Sequence, residues 1–292
     1  MLNFQEKYDS YLNIFNARLE SFCRSLECKP EILSESMKYS LQSGGKRIRP
    51  VLMLAVAELL GVDAEVVLDY ALSLELIHTY SLIHDDLPEM DNDDYRRGKL
   101  TNHKVFGAGN AVLAGDALLN TAYSILFDCC KKGREYVDAA GFICDGAGVN
   151  GMIAGQSADL YCEANKINDE KWLQYIVKNK TAKLITAAVA APCVLKGGKY
   201  FLEFKQFGED LGILFQLVDD ILDEKGSFDK LGKTIGKDKE ENKLTYVSFY
   251  GIDESCVIAD VIYDRCIKLL DGIEGDTEFL KQIAAFVRHR EV

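Results

Sequence analysis

The stretch LIHDDLPEMD, residues 82–91, follows apolar residues that recur at helical spacing from Val66 to Ile83. This spacing predicts a buried helix that ends in an acidic cluster. The cluster contains three carboxylates, those of Asp85, Asp86 and Asp91. Carboxylate oxygens gathered at one place suit a hard divalent cation such as Mg²⁺.

Two arginines, Arg96 and Arg97, come shortly after this cluster. A guanidinium group presents its N–H donors as a planar fork that matches the oxygens of a phosphate. Carboxylates that hold metal, followed by arginines, therefore predict a site for a diphosphate bridged by metal ions. An isolated acidic run is more often a solvated helix end, so this interpretation needs independent support.

A second acidic segment, FQLVDDILD at residues 215–223, gives that support. It again joins an apolar helical pattern to paired aspartates. Asp219 and Asp223 are four positions apart and share one helix face, and Asp220 precedes Asp223 by three positions. Like charges so placed repel and destabilise a helix unless a cation lies between them. The pattern therefore predicts a second set of metal ligands.

The composition is that of an ordinary globular protein. The 292 residues include 48% hydrophobic and 27% charged residues, with no low-complexity tract. This length lies within reach of one hydrophobic core, so we predict one domain over residues 1–292. Only four prolines are present and no convincing alternation of period two occurs, which predicts an all-α fold of long helices.

Charge and cysteine usage limit the partners and the compartment. The formal net charge of −12 argues against nucleic acid as a partner. Bound divalent metal ions would allow a cluster of aspartates to bind an anion. The longest apolar runs, residues 51–60 and 184–195, are too short or interrupted to span a bilayer, and residues 1–10 show no signal-peptide pattern. Nine scattered cysteines without zinc spacing indicate a reducing compartment. We therefore expect a cytoplasmic protein with no membrane span.

A basic segment, SGGKRIRP at residues 43–50, precedes an apolar helix. It places three cations within four residues: Lys46, Arg47 and Arg49. A basic turn is the simplest interpretation, but its isolation in an acidic chain favours a second anion site. His78 lies two helical turns before Asp85, on nearly the same face. Histidine on an apolar helix is more often a core residue, but this position favours a donor that lines the site.

Two further lysine-containing segments are candidates for the site. Lys180 and Thr181 belong to a cationic turn before residues 184–195, which is either a solvated boundary or a contact for phosphate oxygens. Residues 226–242, which include Lys233, are polar and show no periodicity, so they are a candidate for a mobile lid.

A helix is predicted at about 135–163, before the apolar residues 184–195. It contains Gly151 and Gly155. Glycines inside a helical pattern usually mark close helix packing, and we interpret these two in that way.

Taken together, these motifs resemble those of the trans-isoprenyl diphosphate synthases. The resemblance rests on five segments in the order and spacing of that family, over nearly the whole chain: GGKRIRP at 44–50, DDLPEMD at 85–91, Arg96-Arg97, Lys180-Thr181 and FQLVDDILD at 215–223. It implies the isoprenoid synthase helical bundle, in which two aspartate helices face each other across a central cavity. It also implies a homodimer.

The resemblance implies roles for individual residues in a Mg²⁺-dependent head-to-tail condensation of isopentenyl diphosphate with dimethylallyl and geranyl diphosphates. Six aspartates would hold Mg²⁺ ions on the allylic diphosphate: Asp85, Asp86, Asp91, Asp219, Asp220 and Asp223. Five other residues would contact that diphosphate or the developing allyl cation: Arg96, Lys180, Thr181, Gln216 and Lys233. Three of these, Lys180, Thr181 and Gln216, would act in catalysis. Four residues would bind isopentenyl diphosphate: Lys46, Arg49, His78 and Arg97.

The resemblance also bears on product length. In the family, the residues at the positions of Tyr80 and Ser81 form the floor of the chain-elongation pocket, and a bulky aromatic residue there stops growth early. Helix geometry alone places Ser81 more directly below Asp85, so Tyr80 as the floor follows from the resemblance. Tyr80 with Ser81, and the two-residue extension Pro88-Glu89, resemble the bacterial farnesyl diphosphate synthases. We therefore expect (E,E)-farnesyl diphosphate as product, with geranylgeranyl diphosphate as the alternative.

Two other classes of protein share part of this pattern. A class I terpene cyclase also combines helices, aspartates and Mg²⁺, but it usually has an Asn/Ser/Glu motif in place of residues 219–223 and needs no cationic pocket. A non-catalytic subunit of a heteromeric synthase would typically lose one or both aspartate motifs, and both are intact here. The chain departs from the family at Ala182, where glycine is usual, and the sequence does not indicate the course of the tail at 288–292.

Overall fold

Helices provide nearly all the regular structure in the computed structural model, which describes residues 3–225 and 243–290. Four helices precede the first acidic segment: α1 (Phe4–Ser25), α2 (Glu31–Leu41), α3 (Ile48–Leu60) and α4 (Ala64–Asp85). Five follow it: α5 (Asn102–Phe106), α6 (Ala108–Cys130), α7 (Arg134–Ala147), α8 (Met152–Asn165) and α9 (Glu170–Ile176). A π-helix at Val177–Ala182 continues into α10 (Lys183–Leu195), which is followed by α11 (Phe201–Lys225), α12 (Tyr246–Tyr250), α13 (Ile252–Asp271) and α14 (Glu278–His289). The predicted all-α class is confirmed.

Two helices form the centre of this bundle. Every residue of α10 from Leu184 to Cys193 is buried, and α4 buries most of its length. Helix α4 packs against α3 and α6, whereas α10 packs against α3, α7 and α11. A helix that is apolar on all sides is stable in water only when other helices surround it. The buried side chains from Tyr8 to Val287 form one hydrophobic core.

Helix α4 is also long and apolar enough to cross a membrane by length and composition alone. However, 72% of its most apolar window is buried inside the protein. Packing in the core therefore accounts for its composition.

The region predicted as one helix at about 135–163 contains two helices, so that prediction is wrong. Helix α7 ends at Ala147 and α8 begins at Met152, with Gly151 in the turn between them. A Cβ atom on Gly151 would lie 2.2 Å from the carbonyl oxygen of Gly146, so only glycine allows the chain to turn this closely. The periodicity concealed the break because apolar residues continue at helical spacing on both sides of it.

A short antiparallel ladder positions the arginine pair. It joins β1 (Tyr95–Arg96) to β2 (Lys99–Leu100) and is too short for alternation to appear in the sequence. Arg97 and Gly98 form the turn with φ angles of 53° and 72°, the left-handed backbone of a tight two-residue hairpin. Because of this turn, the side chains of Arg96 and Arg97 leave the backbone in different directions.

Gly155 lies where two helical segments make a close contact, as the sequence predicted. It is in α8 and faces the π-helix, and a Cβ atom on Gly155 would lie 2.1 Å from the backbone nitrogen of Lys180. The absence of a side chain at this position therefore sets the distance between α8 and the segment that carries Lys180 and Thr181.

We predict that Gly155→Ala destabilises the protein by ~1–3 kcal/mol, because the added methyl group forces the backbone of Lys180 away. Gly141→Ala is the matched control, since Gly141 is exposed in α7 with nothing within 4 Å of the added Cβ. Alanine should stabilise the exposed helix by ~1 kcal/mol. Urea unfolding followed by circular dichroism measures both variants, and equal stabilities would contradict the close contact.

Candidate active site

A cavity of about 550 Å³ brings the two acidic segments together. Asp85 lines it from the end of α4 and Asp91 from the turn that follows, and Asp219 and Asp223 line it from α11. Nine other predicted site residues line the same cavity: Arg49, His78, Tyr80, Ser81, Arg96, Lys180, Thr181, Gln216 and Asp220. Three are not among its lining residues: Lys46, Asp86 and Arg97. The candidate lid at 226–242, with Lys233, lies outside the described residues.

The first acidic segment folds back on itself. Helix α4 ends at Asp85, and the backbone N–H of Asp91 donates to the carbonyl oxygen of Asp85 with an N···O distance of 2.9 Å. This turn brings the first and last carboxylates of the motif to the same cavity. The carboxylate of Asp86 is buried and accepts a hydrogen bond from Arg96 at 2.7 Å. Burial raises the pKa of Asp86 to about 6, although the Arg96 charge opposes this shift.

The second acidic segment occupies the last two turns of α11. Asp219 forms an ion pair with Arg290, with an N···O distance of 2.8 Å. Asp220 is buried and accepts hydrogen bonds from the backbone N–H of Tyr246 and the side-chain amide of Gln216, each at 2.9 Å. Asp220 thereby fixes the start of α12 against α11.

Positive charges oppose the effect of burial on these carboxylates. Burial raises the pKa of Asp85, and the neighbouring Lys180 limits the rise. At Asp91, burial acts in the same sense, but Lys180 and Lys243 outweigh it and lower the pKa. Burial would lower the pKa of Lys180, but Asp85 and Asp159 raise it above its usual value. Lys180 is therefore a cation held among carboxylates.

The carboxylates have the chemistry of a Mg²⁺ site, but they contact protein donors. Lys243 lies 3.0 Å from a carboxylate oxygen of Asp91, and Gln156 donates to Asp85. Within residues 3–225 and 243–290, no group of three or more His, Cys, Asp and Glu side chains is close enough to hold one metal ion. The oxygen donors fit Mg²⁺ by type. For these carboxylates to surround a metal ion, the ion would have to replace their contacts with Lys243 and Gln156.

The π-helix presents Lys180 and Thr181 to the cavity. The Lys180 ammonium lies 2.6 Å from a carboxylate oxygen of Asp159, and the Thr181 hydroxyl donates to the amide oxygen of Gln216 at 2.8 Å. Single π-helical turns are rare and occur often at functional sites. The cationic turn predicted at this point is therefore part of a continuous helical segment that faces the cavity.

Ala182 follows this pair, at the position where the resemblance described above implies glycine. It is buried and packs against Gly212 of α11, where a Cβ atom would lie 2.4 Å from the Ala182 Cα atom. A glycine on the facing helix therefore leaves room for the approach of Ala182.

A second group of basic residues lies beside the aspartates. Arg49 and His78 line the cavity, and the Nε atom of Arg49 is buried with no hydrogen-bond partner among the described residues. Burial, together with the charge of Arg97, lowers the pKa of Arg49 to about 10. Burial and the charges of Arg49 and Arg97 lower the pKa of His78 well below its usual value, so His78 is neutral near pH 7. A buried N–H donor without a partner calls for an explanation, and a bound anion would supply the missing acceptor.

Arg47, the middle cation of the basic segment, has a different partner. Its backbone is left-handed at φ 51°, and its guanidinium group donates to Glu75 at 2.6 Å and to the carbonyl oxygen of Leu41. The two charged side chains are 5% and 2% exposed, so the pair is desolvated. It attaches the basic segment to α4 and to the end of α2.

Four residues contact the site although the sequence analysis did not identify them: Gln156, Asp159, Lys243 and Arg290. Gln156 and Asp159 are three positions apart on α8, and this spacing could have indicated a polar helix face. No local pattern relates Lys243 or Arg290 to the aspartates. Arg290 shows that the C-terminal tail reaches the site, and its guanidinium carbon lies 3.9 Å from the centroid of the Phe215 ring.

Comparison with known proteins identifies the family of the chain. Residues 30–268 match the family model described as Polyprenyl synthetase. A farnesyl diphosphate synthase of Micrococcus luteus is 37% identical over 98% of this chain and 99% of its own length. A geranylgeranyl diphosphate synthase of Cyanophora paradoxa is 40% identical over 89% of this chain and 88% of its own length. The crystal structure of a Helicobacter pylori geranyltransferase, complexed with magnesium and isoprenyl diphosphate, has a TM-score of 0.83, 32% identity and 96% coverage of both chains.

The chain therefore belongs to the polyprenyl synthetase family. Its fold is the all-α isoprenoid synthase bundle, as predicted, and it is a prenyltransferase of the trans-prenyl diphosphate synthase class. The similar proteins include farnesyl and geranylgeranyl diphosphate synthases, so sequence identity does not distinguish the two product lengths.

We predict that Glu75→Gln destabilises the protein by ~3–5 kcal/mol, because it leaves Arg47 charged and unpaired in a buried position. Asp138→Asn is the control, since it breaks the exposed ion pair of Arg134 with Asp138 in α7. This control should cost only ~0.3–0.5 kcal/mol. Equilibrium unfolding in urea gives both values. A similarly small loss in the two variants would contradict the contribution of the buried pair.

Proposed function

We propose that the chain catalyses the Mg²⁺-dependent head-to-tail condensation of isopentenyl diphosphate with dimethylallyl and geranyl diphosphates, which yields (E,E)-farnesyl diphosphate and diphosphate. One observation carries the proposal: aspartates of both acidic segments meet at one cavity, which is also lined by Arg49 and His78 of the basic region. Such a condensation needs two different diphosphate sites, because only one diphosphate leaves. The diphosphate bridged by metal leaves, and the one held by lysine and arginine stays.

The metal site would use six aspartates: Asp85, Asp86, Asp91, Asp219, Asp220 and Asp223. When bound, Mg²⁺ supplies the positive charge that stabilises a departing diphosphate. Three protein cations now pair with these aspartates: Arg96, Lys243 and Arg290. Replacement of these pairs by metal would free the protein cations to contact the diphosphate. The magnesium in the Helicobacter pylori relative supports a metal-dependent site in this chain.

Arg96 and Lys180 would stabilise the negative charge that develops on the allylic diphosphate as its C–O bond breaks. Thr181 donates its hydroxyl hydrogen to Gln216, so the lone pairs of its oxygen remain available to a nearby allyl cation. Gln216 donates to Asp220 and is thereby held in one orientation. The double bond of isopentenyl diphosphate attacks the cation, and the released diphosphate accepts the proton lost afterwards.

Isopentenyl diphosphate would bind to Lys46, Arg49, His78 and Arg97. The unpartnered Nε of Arg49 supplies an N–H donor that no described protein group uses. Neutral His78 adds a donor without adding to the repulsion among the arginines. This site needs no metal because its own cations balance the diphosphate charge.

Tyr80 supports farnesyl diphosphate as the product. Its side chain lines the cavity and is 5% exposed, so the ring occupies space that a longer prenyl chain would need. The alternative product is geranylgeranyl diphosphate, which the name of the Cyanophora paradoxa relative favours.

We also propose that the protein is a cytoplasmic homodimer of single-domain subunits. Helix α6 carries three large exposed apolar side chains: Val112, Leu113 and Phe127. An apolar helix face of this kind favours contact with a second copy of the chain. All nine cysteines are free thiols, which is typical of a reducing compartment.

We predict that the purified protein forms farnesyl diphosphate from geranyl and isopentenyl diphosphates only with Mg²⁺, and that a chelator stops turnover. Asp85→Asn and Asp219→Asn should each lower kcat by ~10²–10³-fold, because each removes charge that holds the metal around the leaving group. Asp9→Asn, at an exposed position of α1, is the control and should retain activity. Turnover in the presence of chelator would contradict the proposal, and hydrocarbon made without isopentenyl diphosphate would indicate a terpene cyclase.

We predict that Tyr80→Ala extends the products to C20 and beyond, because it removes the ring that limits the cavity. Tyr80→Phe is the matched control, since it keeps the ring and removes only a hydroxyl group that has no described partner. Mass spectrometry of the prenyl products measures both. If Tyr80→Ala still gave C15 alone, Tyr80 would not be the floor.

A further inference from the structure

The Tyr80 ring has no polar anchor. The side chain is 5% exposed, and its hydroxyl group is buried with no hydrogen-bond partner in the described part of the chain. A buried tyrosine hydroxyl usually has a partner that helps to fix the ring. The orientation of Tyr80 therefore depends on the side chains packed against it.

His84 provides such packing. Tyr80 and His84 are four positions apart on α4, so they are neighbours on one helix face. Their ring centroids lie 5.6 Å apart and the ring planes meet at 79°, which is an edge-to-face contact. Both residues line the cavity. The His84 side chain therefore lines the cavity next to the Tyr80 ring.

Helix α6 fixes His84 in turn. The His84 Nε2 atom lies 3.0 Å from the carbonyl oxygen of Val112, and because a carbonyl oxygen only accepts, Nε2 is the donor. Gly115 follows Val112 by about one helical turn, and a Cβ atom on Gly115 would lie 2.1 Å from Nε2. The imidazole ring therefore fits between α4 and α6 only because Gly115 has no side chain.

We propose that His84 is a positioning residue for product length: it holds the Tyr80 ring across the cavity, and Gly115 allows it to do so. The inference rests on the proposed function, because it concerns the pocket in which the allylic chain grows. Without the imidazole ring, Tyr80 gains the freedom to rotate away from the growing chain. Product length then depends on a contact between two helices as well as on the size of residue 80.

The test compares the chain lengths of products formed by purified full-length variants from geranyl and isopentenyl diphosphates with Mg²⁺. His84→Ala should raise the C20 to C15 ratio ~2–10-fold, the factor that corresponds to loss of one aromatic contact. His84→Phe keeps a ring against Tyr80 and should return the ratio towards that of the wild type. Gly115→Ala should also raise the ratio, because its methyl group displaces the imidazole ring.

Gly109→Ala is the matched control on the same helix, since nothing lies within 4 Å of its added Cβ, and it should leave the ratio unchanged. Wild-type ratios in both His84→Ala and Gly115→Ala would overturn the inference, as would an equal shift in Gly109→Ala. If His84→Ala is inactive because Asp85 is adjacent, Gly115→Ala decides the question from the other helix. Absence of prenyl product from the wild type would instead refute the proposed function.

Discussion

Repulsion among the carboxylates around one cavity is the constraint on which the rest of the structure depends. Like charges in partly desolvated surroundings destabilise one another, and each must be balanced or protonated. The protein balances them with four cations from separate segments of the chain: Arg96, Lys180, Lys243 and Arg290. In the proposed function, metal ions and a diphosphate would replace these protein cations as the counter-charges of the aspartates.

The hydrophobic core holds these opposing charges at fixed positions. Helices α4 and α10 are surrounded by other helices, so the acidic end of α4 and the acidic turns of α11 have little freedom to separate. Close packing at Gly155 brings α8 against the π-helix, which sets Asp159 opposite Lys180. The buried pair of Arg47 and Glu75 attaches the cationic pocket to the same helix that carries the first aspartates. Packing and charge therefore hold the residues of the two proposed diphosphate sites on the same group of helices.

Much of this arrangement could be predicted because its signals are local in the sequence. Apolar spacing before residues 82–91 and 215–223 predicted both acidic helices, and those aspartates share a cavity. Contacts between distant segments could not be predicted. The ion pair of Arg290 with Asp219, for example, depends on how α14 packs in the folded protein. A basic residue also looks the same in the sequence whether it faces a ligand or, like Arg47, a buried carboxylate.

Isothermal titration of Mn²⁺ into the protein, with and without inorganic diphosphate, shows directly whether the two acidic segments bind metal together. We expect weak binding of Mn²⁺ alone, because protein cations already pair with the aspartates, and much tighter binding when diphosphate is present. The double variant Asp85→Asn with Asp219→Asn, one change on each acidic wall, should lose this tighter binding. Equally tight binding by the wild type and the double variant would contradict the claim that the two acidic segments act together.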